Sequence, residues 1–145
     1  MLVPLLYETG MVLHKGQELD LTIESLGFGA KAVARSGDLV VFVDGALPGD
    51  KVRAQIHKKK KKHAEARIIK VLDRSPGYVE PVCRHFGACG GCSLQHYQYA
   101  KQLESKTTQV GDLLHKLGGV KDFILLPALP SPDTFHYRNK MEFSF

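Results

Sequence analysis

Three cysteines stand within ten residues of one another, in Cys83-Arg-His-Phe-Gly-Ala-Cys89-Gly-Gly-Cys92, and the chain has no others. Thiolates at i, i+6 and i+9 can converge on one metal centre, because Gly87, Gly90 and Gly91 let the backbone turn around it. A disulfide would strand the third thiol, and no N-terminal signal marks the chain for an oxidising compartment. Inert core cysteines scatter along a chain and do not crowd into a glycine-rich loop. Zinc and iron–sulfur clusters both take thiolates and both usually want a fourth ligand. His85 and His96 are near enough in sequence to complete a zinc site, although Cys-x5-Cys-x2-Cys is not a zinc-finger spacing. Spacing alone leaves the two metals open.

The second chemical feature is His57-Lys58-Lys59-Lys60-Lys61-Lys62-His63. Five lysines inside a strand would point to both faces, which no half-buried strand tolerates. They therefore belong on a projecting hairpin end, where repulsion keeps them in solvent. Such a run can simply blunt a strand edge. On a barrel that binds oligonucleotides it would instead follow a phosphate backbone, adding affinity without reading sequence. The formal net charge of +5 over 145 residues agrees with an anionic partner.

The elements that position these features read from hydrophobic period. Leu19, Leu21 and Ile23 alternate with polar residues as a first strand, which Gly27-Phe28-Gly29 breaks. Ala32–Ala34 and Leu39–Val43 form the next two strands around a turn at Ser36-Gly37-Asp38, with Val41 and Val43 on one face and Val40 and Phe42 on the other. Leu47-Pro48-Gly49-Asp50 suits a type II turn with positive φ at Gly49. Val52, Ala54 and Ile56 make a fourth strand, and Ala64 to Val71 a fifth. The fold class is thus mainly β: a small five-stranded OB-like barrel, followed by an incomplete α+β domain that bears the cysteines. From Ser93, a plausible N-cap, the period becomes helical, with Leu94, Tyr97, Leu103, Val110, Leu114 and Leu117 as a stripe ending at Gly118-Gly119 and a possible bend at Gly111. Pro127, Pro130 and Pro132 exclude regular structure between Phe123 and Pro132. Alternation resumes over His136–Phe145 and stops in mid-strand, as expected of a fragment.

The run Cys83–Gln95, Tyr97, Tyr99, Gln102-Leu103-Glu104-x-Lys106 and Tyr137-Arg138-Asn139-Lys140-Met141-Glu142-Phe143 resembles the iron–sulfur RNA (uracil-5-)-methyltransferases. These are S-adenosylmethionine-dependent enzymes that make 5-methyluridine. The resemblance covers nearly the whole chain from Gly16, since that family often begins with an OB-like TRAM domain. It implies a 4Fe-4S cluster on Cys83, Cys89 and Cys92, with a fourth ligand, the S-adenosylmethionine-binding fold, the catalytic cysteine and the general base all beyond Phe145. None of the three cysteines would be the nucleophile, so no catalytic residue is expected here and the chain alone should be inactive. Ribosomal RNA is the expected partner, with Lys58, Lys59, Lys60, Lys61, Lys62, Arg138 and Lys140 as its contacts, and the cytoplasm the expected location. The rival reading is a stand-alone zinc-binding RNA module with His85 or His96 as fourth ligand. Family members often carry glycine where this chain has Ala30 and Ala32, which puts a positive φ at that loop in question.

The resulting plan is a leader at 1–15, a TRAM domain at 16–73 and a partial iron–sulfur domain at 74–145, truncated in a strand. Met1–Tyr7 is apolar but lacks the basic start and cleavage site of a signal peptide. Met11 is a candidate physiological start. No apolar run reaches the roughly 18 residues of a membrane span.

Overall fold

The alternating stretches fold as strands because one face of each can be buried while the other stays wet. In the computed structural model, which describes residues 13–137, these are β1 (Glu18–Thr22), β2 (Ser25–Leu26), β3 (Ala32–Ser36), β4 (Leu39–Asp44), β5 (Lys51–Lys59) and β6 (His63–Asp73). They form one sheet in the order β1-β5-β6-β4-β3-β2. All neighbours are antiparallel except β4 and β6, which run parallel from Val40↔His63 to Asp44↔Arg67.

The two ends of that order are one bent stretch of chain, since only Ile23 and Glu24 separate β1 from β2. At the bend the Ile23 N–H donates to the Asp50 carbonyl at 2.9 Å, and the Glu24 N–H donates to the Val33 carbonyl at 2.8 Å. The sheet is thereby closed into a barrel, which removes the free edges that would invite pairing with another chain. The five expected strands are all present, and the first simply continues past its bend as β2.

Leu21, Ile23, Leu26, Val41, Val43, Leu47, Val52 and Ile56 fill the interior, interleaved with the fully buried Ala32, Ala34, Ala54, Ala64 and Ala66. A barrel this small takes alternating small and large side chains, and the alanines are the small ones. As the period predicts, Val41 and Val43 point inward while Val40 and Phe42 are half-buried on the outside.

Asp50 locks the end of the barrel. It is fully buried; its Oδ2 accepts the Leu47 N–H at 2.8 Å and its Oδ1 accepts the Ser75 N–H at 2.7 Å. Gly49 has φ +92° as the type II turn requires, and a Cβ there would sit 3.3 Å from Ser75 Oγ. One carboxylate therefore ties the Leu47–Asp50 turn to the residues that leave β6.

Compactness divides the chain after His96, so the cysteine loop falls in the same unit as the barrel and the second unit starts at Tyr97. That second unit holds α1 (Tyr99–Asp112), which continues as a wider π turn over Leu113–Leu117. The segment after it has no regular structure through residue 137, in keeping with its prolines. It is held along the helix by the Ala128 N–H to Thr107 Oγ at 3.0 Å and the Ser131 N–H to the Tyr99 hydroxyl at 2.8 Å. Gly111 does not bend the helix: a Cβ there would meet Leu125 Cδ2 at 2.9 Å, so the glycine makes room for that leucine.

One expectation is corrected here, and one lies largely outside the described residues. The helix starts at Tyr99 with Gln98 as N-cap residue, not at Ser93. The residues between are committed elsewhere, since the His96 carbonyl accepts the Val79 N–H at 2.9 Å and the Gln95 side chain bonds the Cys83 N–H. The strand expected over His136–Phe145 lies outside the described residues except for His136 and Tyr137, neither of which is in a strand.

Candidate nucleic-acid interface

Five lysines straddle the end of β5 and the loop that follows it, and every one is exposed. Lys58 and Lys59 are the last residues of β5, while Lys60, Lys61 and Lys62 form the turn, closed by the Lys60 N–H to the His63 carbonyl at 2.8 Å. Placing the run at the projecting tip resolves the two-face problem. Glu65 on β6 lies beneath, with Lys58 Nζ at 3.6 Å, Lys60 Nζ at 4.0 Å and His63 Nε2 at 3.8 Å from its Oε1. Exposed pairs of this kind contribute little to stability, at most about 1 kcal/mol each. Among the described residues, Lys61 and Lys62 make no ion pair, so the outermost charges of the hairpin are the uncompensated ones.

Beside this hairpin the barrel wall carries a surface hollow of about 370 Å³ lined by Phe28, Lys31, Phe42, His63 and Glu65. Phe42 and His63 meet edge to face, with ring centroids 5.4 Å apart. Phe28 projects into solvent at 87% exposure from a single 3₁₀ turn, Phe28–Ala30. Lys31 is hydrogen-bonded to Asp44. Reading the sequence for period alone missed this hollow. The available signal was a phenylalanine placed between two glycines, where a core residue has no reason to be.

The turn that presents Phe28 is strained. Gly29 has φ +73° and Ala30 has φ +61°, so alanine does occupy the left-handed region at the position where glycine was expected in relatives. A Cβ in that region costs about 1 kcal/mol or more. Ala32, by contrast, is an ordinary buried strand residue.

The cysteine loop is built mainly from turns. The Phe86 N–H donates to the Cys83 carbonyl at 3.0 Å and the Cys89 N–H to the His85 carbonyl at 3.1 Å, while Gly87 and Gly90 adopt φ +83° and +70°. Cys83, Cys89 and Cys92 are free and exposed. The Gly91 N–H points at Cys89 Sγ at 3.4 Å, and Gln95 Nε2 at Cys92 Sγ at 3.8 Å. Metal-bound sulfurs commonly accept such N–H hydrogen bonds, so three cysteines with donors aimed at two of them suit a sulfur-ligated centre by their chemistry. Among the described residues, no three His, Cys, Asp or Glu side chains are gathered closely enough to hold a metal ion as they stand.

Neither histidine of the zinc alternative joins the cysteines in such a group. Arg84 Nε donates to His85 Nε2 at 3.1 Å. His96 is buried, its Nε2 lies 3.2 Å from the Gly45 carbonyl, and its ring packs on Phe86 at 4.9 Å. With Nε2 donating to Gly45, Nδ1 is left buried without a hydrogen-bond partner. Burial pushes the His96 imidazole below its ordinary value of 6.5, against the smaller opposing effects of the Gly45 carbonyl and Asp50. His96 thus anchors the loop to the barrel as a neutral ring. Arg138 and Lys140 lie outside the described residues.

The small closed barrel is OB-like in architecture, and residues 13–69 match the TRAM domain. The chain therefore carries a TRAM domain. Beyond it, the chain is similar to proteins named as uncharacterized RNA methyltransferases: 46% identical over 133 residues to one from Chlorobaculum tepidum and 43% over 135 residues to one from Clostridium tetani. These alignments take in 90% and 93% of this chain, which spans 28% and 29% of the relatives' length. Among solved structures, it is 26% identical to the Pyrococcus abyssi tRNA (uracil-54, C5)-methyltransferase in complex with S-adenosyl-L-homocysteine, covering 79% of this chain and 24% of that one with a TM-score of 0.49. No helix among the described residues is long and apolar enough to cross a membrane.

Proposed function

We propose that this chain is the RNA-recognition and cluster-bearing part of an S-adenosylmethionine-dependent RNA methyltransferase that acts at uridine C5 of ribosomal RNA in the cytoplasm. The observation that carries the reading is the pairing of a TRAM barrel, whose exposed hairpin ends in uncompensated Lys61 and Lys62, with similarity over nine-tenths of the chain to proteins named RNA methyltransferases. The lysines are suited to follow phosphates, releasing counterions as they bind, and they read no base. Arg138 and Lys140 are further candidates for phosphate contact.

Cys83, Cys89 and Cys92 would hold a 4Fe-4S cluster, with a fourth ligand from the longer enzyme. When bound, that cluster would supply a rigid covalent cross-link for the loop. His96, buried against Phe86 and bonded to Gly45, would keep the loop's base fixed to the barrel. S-adenosylmethionine would supply the methyl group, and no residue of this chain is assigned to bind it or to perform catalysis.

Two measurements test this reading. Affinity for a labelled single-stranded RNA, followed by anisotropy, should fall linearly in log K against log salt concentration. Failure to bind at low salt would remove the RNA-binding role. Anaerobically purified protein should contain iron and sulfide and absorb broadly in the visible; stoichiometric zinc without colour would replace the cluster by the zinc alternative.

A further inference from the structure

We infer that the hollow beside the lysine hairpin is a stacking site for an unpaired base of single-stranded RNA, with Phe28 as its platform. This deepens the RNA-binding reading and rests on it. Phe28 is the largest side chain of its turn and stands at 87% exposure. The backbone that holds it outward includes a left-handed alanine, a conformation that costs stability and adds nothing to the core. The hollow is aromatic on three sides, with Phe28, Phe42 and His63, which every base can stack against because every base has a π-face.

Its polar groups are suited to the same occupant. Lys31, paired with Asp44, and Glu65, paired with Lys58, Lys60 and His63, add a donor and an acceptor to its lining, the groups that the edge of a base requires. Glu65 is also the residue over which Lys58 and Lys60 are gathered, so the phosphates of a strand whose base enters the hollow would meet the lysine tip next. Charge complementarity therefore selects a polyanion that carries flat apolar faces, and an unpaired stretch of RNA is that polymer. A duplex keeps its bases stacked on each other and offers none to the hollow.

The chain contains no tryptophan, which makes the test direct. In Phe28→Trp the single indole replaces the platform, and its emission should be quenched as a 12-nucleotide oligouridylate is titrated in. Phe28→Ala, an exposed change that leaves the core intact, should weaken oligouridylate binding about 5- to 100-fold and leave the salt dependence unaltered, because the ring carries no charge. Binding to duplex RNA of equal phosphate number should not change. Wild-type affinity in Phe28→Ala, or equal losses on both RNAs, would overturn the stacking site while the RNA-binding reading stands. If the unsubstituted protein fails to bind any RNA, both fall together.

Discussion

The barrel unit and the helical unit of this chain bury their apolar residues to opposite extents. The barrel encloses fifteen of the buried hydrophobic side chains between Leu13 and Ala66, whereas Tyr97 is the only one among the described residues from Tyr97 onward. No residue of α1 is buried, and Leu117, Ile124, Leu126 and Leu129 are 81%, 89%, 73% and 91% exposed. A closed sheet satisfies its own backbone and fills its own interior. A single helix satisfies its own backbone but, with only an extended segment along it, has no interior to fill. Stability should therefore reside in the first unit.

The largest test of that contrast is a pair of truncations of side chains. Ile56→Ala, in the barrel core, should cost about 2–5 kcal/mol in urea denaturation, while Leu117→Ala should change stability by no more than about 0.5 kcal/mol. Comparable losses would mean that the helical unit has a core of its own. Asp50→Ala leaves the Leu47 and Ser75 N–H groups buried without an acceptor and should cost about 2–4 kcal/mol, with the junction of barrel and cysteine loop the first region to lose protection in hydrogen exchange.

His96 gives a smaller, pH-dependent term. Because its folded imidazole is held below 6.5 by burial, the unfolded chain takes up more protons on acidification. Its contribution is intact above about pH 6.5 and is lost as pH falls through the lowered folded value. Thermal unfolding of His96→Gln across this range should lose that part of the slope; an unchanged slope would assign it to other groups. The smallest effect is expected at the strained turn, where Ala30→Gly should stabilise the barrel by up to about 1 kcal/mol.

The barrel was legible because each strand needs only a period of two, and Val41/Val43 against Val40/Phe42 is decided locally. Gly49 was legible for a similar reason, since Pro48-Gly49 fits one turn type. The bend that joins β1 to β2 was not, because closure depends on Asp50 and Val33, distant in sequence. The helix start was misplaced by competition: Ser93 is a good cap in isolation, but Gln95 and His96 are drawn into bonds with Cys83, Val79 and Gly45. The apolar stripe on the helix was real as a pattern, yet nothing local says whether a stripe is covered. At the candidate interface the lysine run was visible as charge, while the hollow beside it was not, since Phe28, Phe42 and His63 come from three separate elements.

The most direct measurement is the salt dependence of single-stranded RNA affinity for the natural chain and for a variant with Lys58–Lys62 all changed to Gln. If the hairpin follows phosphates, the slope of log K against log salt should shrink by about 1.4 to 3.5, the lower figure for the two uncompensated tip lysines and the upper for all five. An identical slope in the two proteins would contradict the account and leave the run as a solvated strand end.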